Sequence, residues 1–276
     1  MFNLTLIGLA VLAGLIGPLL GATQCFWTYG AAGMIFTILN ACGVKAEFLG
    51  NEMMNTFLLP AIFFTGAGVA TAYAGKKYPY QIKGYETGRS LAFLEDPAIL
   101  LAGVGGSLAG YFIFTLANAA KLPMDTGALT VVTVATIARF LFGTEQYMNK
   151  GNLELLQNMS PSVWLYEVLF GGAVAAIAGI ITKQTGNPSI GFYISAILLI
   201  FIWVDSAFPA THHTTMVAGY AMAYTGNIWL AVLFGVIAHL IGLTFGSVFN
   251  TKCSTHIDPP AVAIGICSLV IFCLFG

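Results

Sequence analysis

The sequence has few charged residues for its length. Only 8% of its 276 residues are charged, against about 25% in a typical soluble domain. This is too little charge to cover a globule of this size, which argues against a soluble enzyme. Binding to nucleic acid requires a basic face, but 10 Lys and Arg stand against 11 Asp and Glu. We therefore expect no nucleic-acid partner.

Patterns that would indicate a disulfide framework or a catalytic centre are also lacking. The five cysteines are odd in number and include no CxxC pair, so neither a set of disulfides nor a zinc knuckle is expected. There is no HExxH motif and no nucleotide-binding loop, because the glycine-rich stretch 103–110 lies inside an apolar run. We expect no enzymatic activity, no cofactor and no bound metal.

Apolar residues, by contrast, are abundant. They make up 58% of the chain, the mean hydropathy is +0.87, and a membrane-spanning helix needs about 20 largely apolar residues. The sequence therefore predicts an all-α, polytopic membrane protein with about ten transmembrane helices. The predicted spans, numbered from the amino terminus, are 4–22, 26–44, 55–75, 97–119, 125–143, 163–182, 187–204, 208–226, 228–249 and 257–275.

The order of residues within these spans indicates an internal duplication. Pro60-Ala61 and Thr65 of the third span reappear as Pro209-Ala210 and Thr214 of the eighth. Matches of the same kind relate the fourth and fifth spans to the ninth and tenth. They pair Gly103, Gly110 and Asp125 with Gly235, Gly242 and Asp258.

Five spans per repeat is an odd number, so the second repeat would enter the membrane from the opposite side. This is the inverted-repeat plan of many secondary transporters. The predicted organisation is a first repeat at 1–144, a connecting loop at 145–162 and a second repeat at 163–276. The shared glycines further predict that the fourth and ninth spans pack closely against each other at the pseudo-twofold axis.

Lys and Arg give the expected orientation. Loops after odd-numbered spans hold seven of them and loops after even-numbered spans hold three. Because cytoplasmic loops carry the excess of positive residues, both termini are expected to be extracytoplasmic. We expect the protein in the plasma (inner) membrane of a prokaryote.

The histidines are the first candidates for function, since all four lie in the second half. His239 falls near the centre of the ninth span, where an ionisable group is costly and tends to face a cavity or the bundle interior. His212 and His213 begin the polar stretch of the eighth span. The alternative is that each is a neutral histidine hydrogen-bonded to a neighbouring carbonyl.

Two aspartates occupy matching positions, each at the start of a span. Asp125 and Asp258 fit the role of helix N-caps, and Pro259 at the first helical position supports this. The alternative is a broken helix that begins inside the membrane, where the carboxylates would bind a cation. The complete set of candidate substrate- or ion-binding residues is His239, His212, His213, Asp205, Thr215, Asp125, Asp258 and Ser107, the last being the counterpart of His239 in the first repeat.

These features predict a transporter or channel for a small solute or ion, with its substrate or proton site in spans 7–9. Imidazole changes charge between about pH 5 and 8, so such activity should depend on pH in that range. The alternative is a non-catalytic membrane subunit of a larger complex, and self-association fits both hypotheses. The expected partners are lipid, the solute, and further copies or other membrane subunits. A polar cavity within one chain would favour transport, whereas a fully packed interior would favour the subunit.

Overall fold

The computed structural model describes residues 3–144, 156–251 and 253–276. Most of the predicted connecting loop 145–162 lies outside the described residues. So do Lys150 and Lys252, two of the residues that set the predicted orientation.

The described chain is helical and contains no β-strand, as expected for an all-α protein. Within it, ten α-helices follow one another at the positions of the ten predicted spans. They are α1 Leu4–Leu20, α2 Ala22–Ala41, α3 Phe63–Lys77, α4 Pro97–Ala119, α5 Thr126–Phe142, α6 Pro161–Thr185, α7 Ile190–Leu198, α8 His212–Thr225, α9 Ile228–Asn250 and α10 Pro259–Phe275. A π-helix at Leu49–Phe57 precedes α3, and short 3-10 helices lie at Ala92–Leu94 and Leu199–Trp203.

Several of these helices are suited to a membrane. α4, α6 and α9 are long enough to cross one, with mean hydropathies of 1.8, 1.8 and 2.3. α1 and α2 are together long and apolar enough, but they are bent by 116° at Gly21, whose φ of 107° favours glycine. The apolar helices α5 and α10 are shorter, as is the stretch Ile190–Trp203. The structure is therefore compatible with a membrane protein, with three or four helices of full spanning length among the described residues.

Two of the predicted helices begin later than expected. The third was expected at 55–75, but α3 begins only at Phe63; the eighth was expected at 208–226, but α8 begins at His212. A proline precedes each start by three residues, Pro60 and Pro209 respectively. Proline lacks an N–H group and disfavours helical geometry in the residue before it, so each helix begins only after its proline. Both of these helix starts lie in the protein interior, since Phe63 and His212 are buried.

Side-chain caps fix the starts of several other helices. Asp125 Oδ1 accepts the backbone N–H of Ala128 at 2.8 Å, and Asp258 Oδ2 accepts that of Ala261 at 2.8 Å. The structure therefore confirms the N-cap role predicted for both aspartates. Each cap satisfies an N–H that the helix leaves free, which stabilises a helix by about 1 kcal/mol. Asn3, Asp96, Ser160 and Asn227 cap α1, α4, α6 and α9 in the same way.

The helices pack as two clusters that meet along two helix pairs. In the first half α1, α3 and α4 pack on one another; in the second half α6, α8 and α9 do so. The halves meet where α2 packs on α7 and α5 packs on α10. The predicted close pairing of the fourth and ninth helices is wrong. Glycines do bring these helices close to neighbours, but within each half: Gly103 faces Gly14 of α1, and Gly235 faces Ala175 of α6.

Candidate functional site

A cavity of about 550 Å³ lies in the second half, beside the starts of α8 and α10. All four histidines line it: His212, His213, His239 and His256. Three carboxylates line it as well, Glu86, Glu167 and Asp258. The rest of its wall is mostly apolar. The sequence places these residues on five different segments, which only the tertiary fold brings together.

His239 is held at the cavity by a carboxylate and a hydroxyl group. Its Nε2 lies 2.8 Å from Glu167 Oε2 of α6, and its Nδ1 lies 3.4 Å from Thr214 Oγ1 of α8. The side chain is 9% exposed. A buried polar group is stable when it is hydrogen-bonded, so His239 is a fixed member of the site that ties α9 to α6 and α8.

His213 and His239 have parallel rings, with centroids 5.9 Å apart and planes inclined by 6°. Two glycines provide the room. A Cβ atom on Gly242 would lie 2.6 Å from His213 Nε2, and one on Gly171 would lie 3.0 Å from the His239 side chain. The ring of His212 meets that of His213 edge-on at 5.9 Å. The three imidazoles therefore form a row that runs from Glu167 towards Phe26.

His212 ends the row between two aromatic rings, Phe26 at 5.1 Å and Phe192 at 5.8 Å between centroids. It is only 4% exposed, and neither of its ring nitrogens has a hydrogen-bond partner among the described residues. Leaving a buried polar group unpaired costs about 1–3 kcal/mol. A histidine kept in such a place is a candidate for binding something that supplies the missing hydrogen bonds.

A second, smaller cavity of about 90 Å³ lies on the other side of His212. Phe26, His212 and Asp258 line both cavities. Asp125 lines only the smaller one, and its Oδ2 accepts a 2.7 Å hydrogen bond from the hydroxyl group of Tyr220. The two capping aspartates, one from each half, therefore meet at a common cavity.

The loop between α3 and α4 closes part of the larger cavity. Tyr85, Glu86, Thr87 and Gly88 belong to its wall. This loop is fixed to the start of α2, because Gln24 Nε2 donates to the Gly88 carbonyl at 2.6 Å and Thr23 N donates to that of Thr87 at 3.1 Å. Residues of the first half therefore complete a cavity whose histidines come from the second.

Five of the eight predicted site residues come together here: His212, His213, His239, Asp125 and Asp258. The other three lie elsewhere. Asp205 is exposed and accepts the N–H of Ala207 at 2.9 Å, so it forms a local turn. Thr215 bonds with Ser195 at 2.8 Å, and Ser107 donates to the carbonyl of Ile62 at 2.8 Å. Each of these two hydroxyls joins a pair of packed helices outside both cavities.

Glu167 and His256 are absent from the predicted set, yet both line the larger cavity. For Glu167 the sequence does carry a signal. It is a lone carboxylate inside an apolar helix, and such residues are functional candidates by default. His256 Nε2 lies 3.5 Å from Asp258 Oδ1, a contact that the two-residue spacing allows but does not require.

The chemistry available at the site is hydrogen bonding and charge. Among the described residues, no group of three His, Cys, Asp or Glu side chains is arranged to hold a metal ion. The imidazoles of His212 and His213 both have a ring nitrogen with no partner among these residues. Such nitrogens can donate to or accept from a small bound molecule.

Comparison with known proteins gives a family without giving a function. A family model described as "Family of unknown function (DUF7973)" matches residues 3–163 and 161–275, two stretches that meet at the start of α6. No curated protein and no solved structure matches the chain. Because the matched residues cover nearly the whole chain, the protein belongs to the DUF7973 family of unknown function.

Proposed function

We propose that this protein is a membrane transporter or channel for a small solute or ion, and that the solute passes between the two cavities beside His212. The observation that carries the proposal is His212 itself. It lines both cavities, it is 4% exposed, and neither of its ring nitrogens has a partner among the described residues. A passing solute would supply the hydrogen bonds that the protein leaves unmade.

The proposed architecture is an inverted repeat of two five-helix units, 1–144 and 163–276. Two pairs of corresponding helices have equal lengths: α4 and α9 have 23 residues each, and α5 and α10 have 17 each. α3, which follows the π-helix after a break at 58–62, and α8 begin at aligned positions, and the halves meet through like pairs, α2 with α7 and α5 with α10. In transporters of this plan the substrate binds where the repeats meet, at interrupted helices.

The positions of the helix starts suit a binding site. The small cavity is lined by residues that precede or begin α3, α5, α8 and α10: Pro60, Asp125, His212 and Asp258. Free N–H groups at a helix start carry partial positive charge. At α5 and α10 these groups are occupied by Asp125 and Asp258, so the cavity offers carboxylates rather than bare helix ends.

The competing hypothesis, a non-catalytic membrane subunit, is disfavoured by the cavities. A subunit that only packs against partners needs no cavity of its own, whereas this chain has an open cavity of about 550 Å³ beside a row of histidines. We keep the proposed plasma-membrane location of a prokaryote, with both termini outside, as part of the transport proposal. Self-association is compatible with it.

The proposal is tested by flux into liposomes that contain the purified protein. Cations, protons and small anions are screened with and without a pH gradient, beside His239→Ala. We expect selective flux that falls at least about tenfold in the variant, since His239 joins α6, α8 and α9 at the cavity wall. Leu101→Ala on α4, at a residue 68% exposed, is the control and should leave flux intact. If the folded protein carries none of these solutes, the transport proposal fails and co-purification of partners becomes the next experiment.

A further inference from the structure

We propose that the solute bound in the larger cavity is a small organic cation. The proposal names the substrate class of the transport function proposed above and rests on it. The one-sided charge of the cavity wall, its unpaired histidine nitrogens and its aromatic lining all support this class.

Apart from the histidines, the ionisable side chains on the cavity wall that carry charge at neutral pH are all acidic. Glu86, Glu167 and Asp258 line it, and no Lys or Arg occurs among the described lining residues. The guanidinium of Arg89 comes within 4.0 Å of Glu86 at the edge, which leaves Glu167 and Asp258 as the carboxylates further in. A bound anion would face these charges without a fixed cation to offset them, whereas a cation would be attracted. The sign of the wall therefore selects against anionic solutes.

Buried polar atoms of the residues that line the cavity lack hydrogen-bond partners among the described residues. His212 and His213 are 4% and 5% exposed, and both ring nitrogens of His212 and Nδ1 of His213 have no partner among the described residues. Asp258 Oδ2 caps α10, but Oδ1 has only a long 3.5 Å contact with His256. A neutral imidazole has one acceptor nitrogen, so His212 and His213 can each offer one acceptor, beside Asp258 Oδ1, to an ammonium or hydroxyl donor.

The rest of the wall favours an organic cation over a metal ion. Metal ions such as Ca²⁺ require six to eight converging oxygen ligands, and no group of three potential ligands converges among the described residues. Aromatic residues line the cavity instead: Phe26, Phe64, Tyr85 and Trp203. Aromatic rings attract organic cations through their electron-rich faces. A volume of about 550 Å³ can hold a molecule of several carbon atoms.

Binding of three probes that match in size and shape but differ in charge tests the proposal. They are choline, its uncharged carbon analogue 3,3-dimethylbutan-1-ol, and the anion 3,3-dimethylbutanoate. Titration calorimetry is performed on the full chain in a maltoside detergent, which carries no ammonium group of its own. We expect choline to bind at least about tenfold more tightly than the alcohol, and the carboxylate to bind least. Equal binding of all three, preference for the anion, or no binding of choline would each overturn the proposal.

Two charge-neutral variants locate the effect. Asp258→Asn removes the charge but keeps the cap, because asparagine caps helices as well as aspartate does. Glu167→Gln keeps a polar partner for His239. We expect each to weaken choline binding about tenfold while binding of the alcohol stays unchanged, which would also show that the cavity is intact. Unchanged choline binding in both variants, or equal weakening of choline and alcohol in both, would overturn the proposal.

Asp96→Asn is the matched control. Asp96 caps α4 ahead of Pro97 as Asp258 caps α10 ahead of Pro259, but it lies outside both cavities, so choline binding should not change. The experiment also separates this proposal from the transport proposal. Choline binding without any flux would overturn transport and leave the ligand class standing, whereas selective flux of an anion would do the reverse.

Discussion

The first turns of α3 and α8 occupy corresponding places in the proposed duplication, and they differ sharply in chemistry. α3 begins with Phe63-Phe64, whereas α8 begins with His212-His213. Both pairs are buried. The same contrast recurs one helix later, where Ser107 of α4 stands opposite His239 of α9 in the alignment. At these aligned places the second half has three histidines, whereas the first half has two phenylalanines and a serine.

The neighbours of each pair show what the difference does. Phe63 packs on Phe57 with ring centroids 5.2 Å apart, and Phe64 packs on Phe26 at 4.7 Å. These contacts bury apolar surface and so stabilise the fold. His212 lies against Phe26 as well, but its nitrogens have no partner among the described residues. The second half therefore gives up stability where the first half gains it, which is the usual sign of a functional position.

The largest effect is expected when this contrast is removed. The double variant His212→Phe, His213→Phe gives α8 the start that α3 has. Flux should fall by about a hundredfold or more, because both imidazoles of this turn are lost from the cavity wall. The free energy of unfolding should stay the same or rise, since replacing unpaired polar groups with apolar ones is nearly neutral or stabilising. Liposome flux and thermal unfolding in detergent measure the two effects. A variant that is well folded and still transports would show that the histidines have no part in the function.

A smaller effect is expected from moving one histidine without removing it. A Cβ atom on Gly242 would lie 2.6 Å from His213 Nε2, so Gly242→Ala must displace the ring from its stack on His239. The crowding costs about 1–3 kcal/mol, and the gain in helix propensity, about 1 kcal/mol, offsets part of it. We expect flux to fall about tenfold with a modest loss of stability, measured by the same two assays.

Gly105→Ala, in the first half, is the control for Gly242→Ala. It lies in α4 with nothing within 4 Å of the added Cβ, so flux should be unchanged and stability should rise by up to about 1 kcal/mol. If Gly242→Ala behaves like Gly105→Ala, the position of the His213 ring does not matter to transport.

Much of this fold could be predicted from the sequence because helix formation is largely local. The positions of the ten helices follow from apolar runs, and the capping aspartates follow from residue type and a neighbouring proline. The late starts of α3 and α8 were not predicted because apolar composition continues through Pro60 and Pro209. The prediction that α4 packs on α9 was wrong for a related reason. Glycines mark where a helix is closely packed, but they do not identify the helix that packs there.

The site was predictable only in part. His212, His213 and His239 stood out because ionisable groups are rare in apolar helices. The same rule also covers Glu167, a lone carboxylate in an apolar helix that was absent from the predicted set. Asp205 and Thr215 were included because they are close to the histidines in sequence, yet one side chain is exposed and the other joins α8 to α7. Nearness along the chain does not place side chains in one cavity, particularly where a helix is interrupted.

The smallest effect is expected at a pair of helix caps that differ between the halves. In the first half Asp96 caps α4 and forms a 2.6 Å ion pair with Lys77; in the second half the neutral Asn227 caps α9. The Lys77 ammonium, the cap hydrogen bond from Ala98 and the Tyr78 hydroxyl hold the pKa of Asp96 below its ordinary value of 3.8. A carboxylate with a lowered pKa in the folded state stabilises the protein above its unfolded pKa, and this contribution is lost as pH falls through the folded pKa.

Asp96→Asn gives the first half the cap of the second, so the unfolding midpoint at pH 7 should drop by about 1–3 °C. The difference from the parent protein should shrink as pH falls below 3.8 and should also shrink in high salt. A difference that persists at low pH would mean that the shape of the cap, rather than its charge, distinguishes the two halves here.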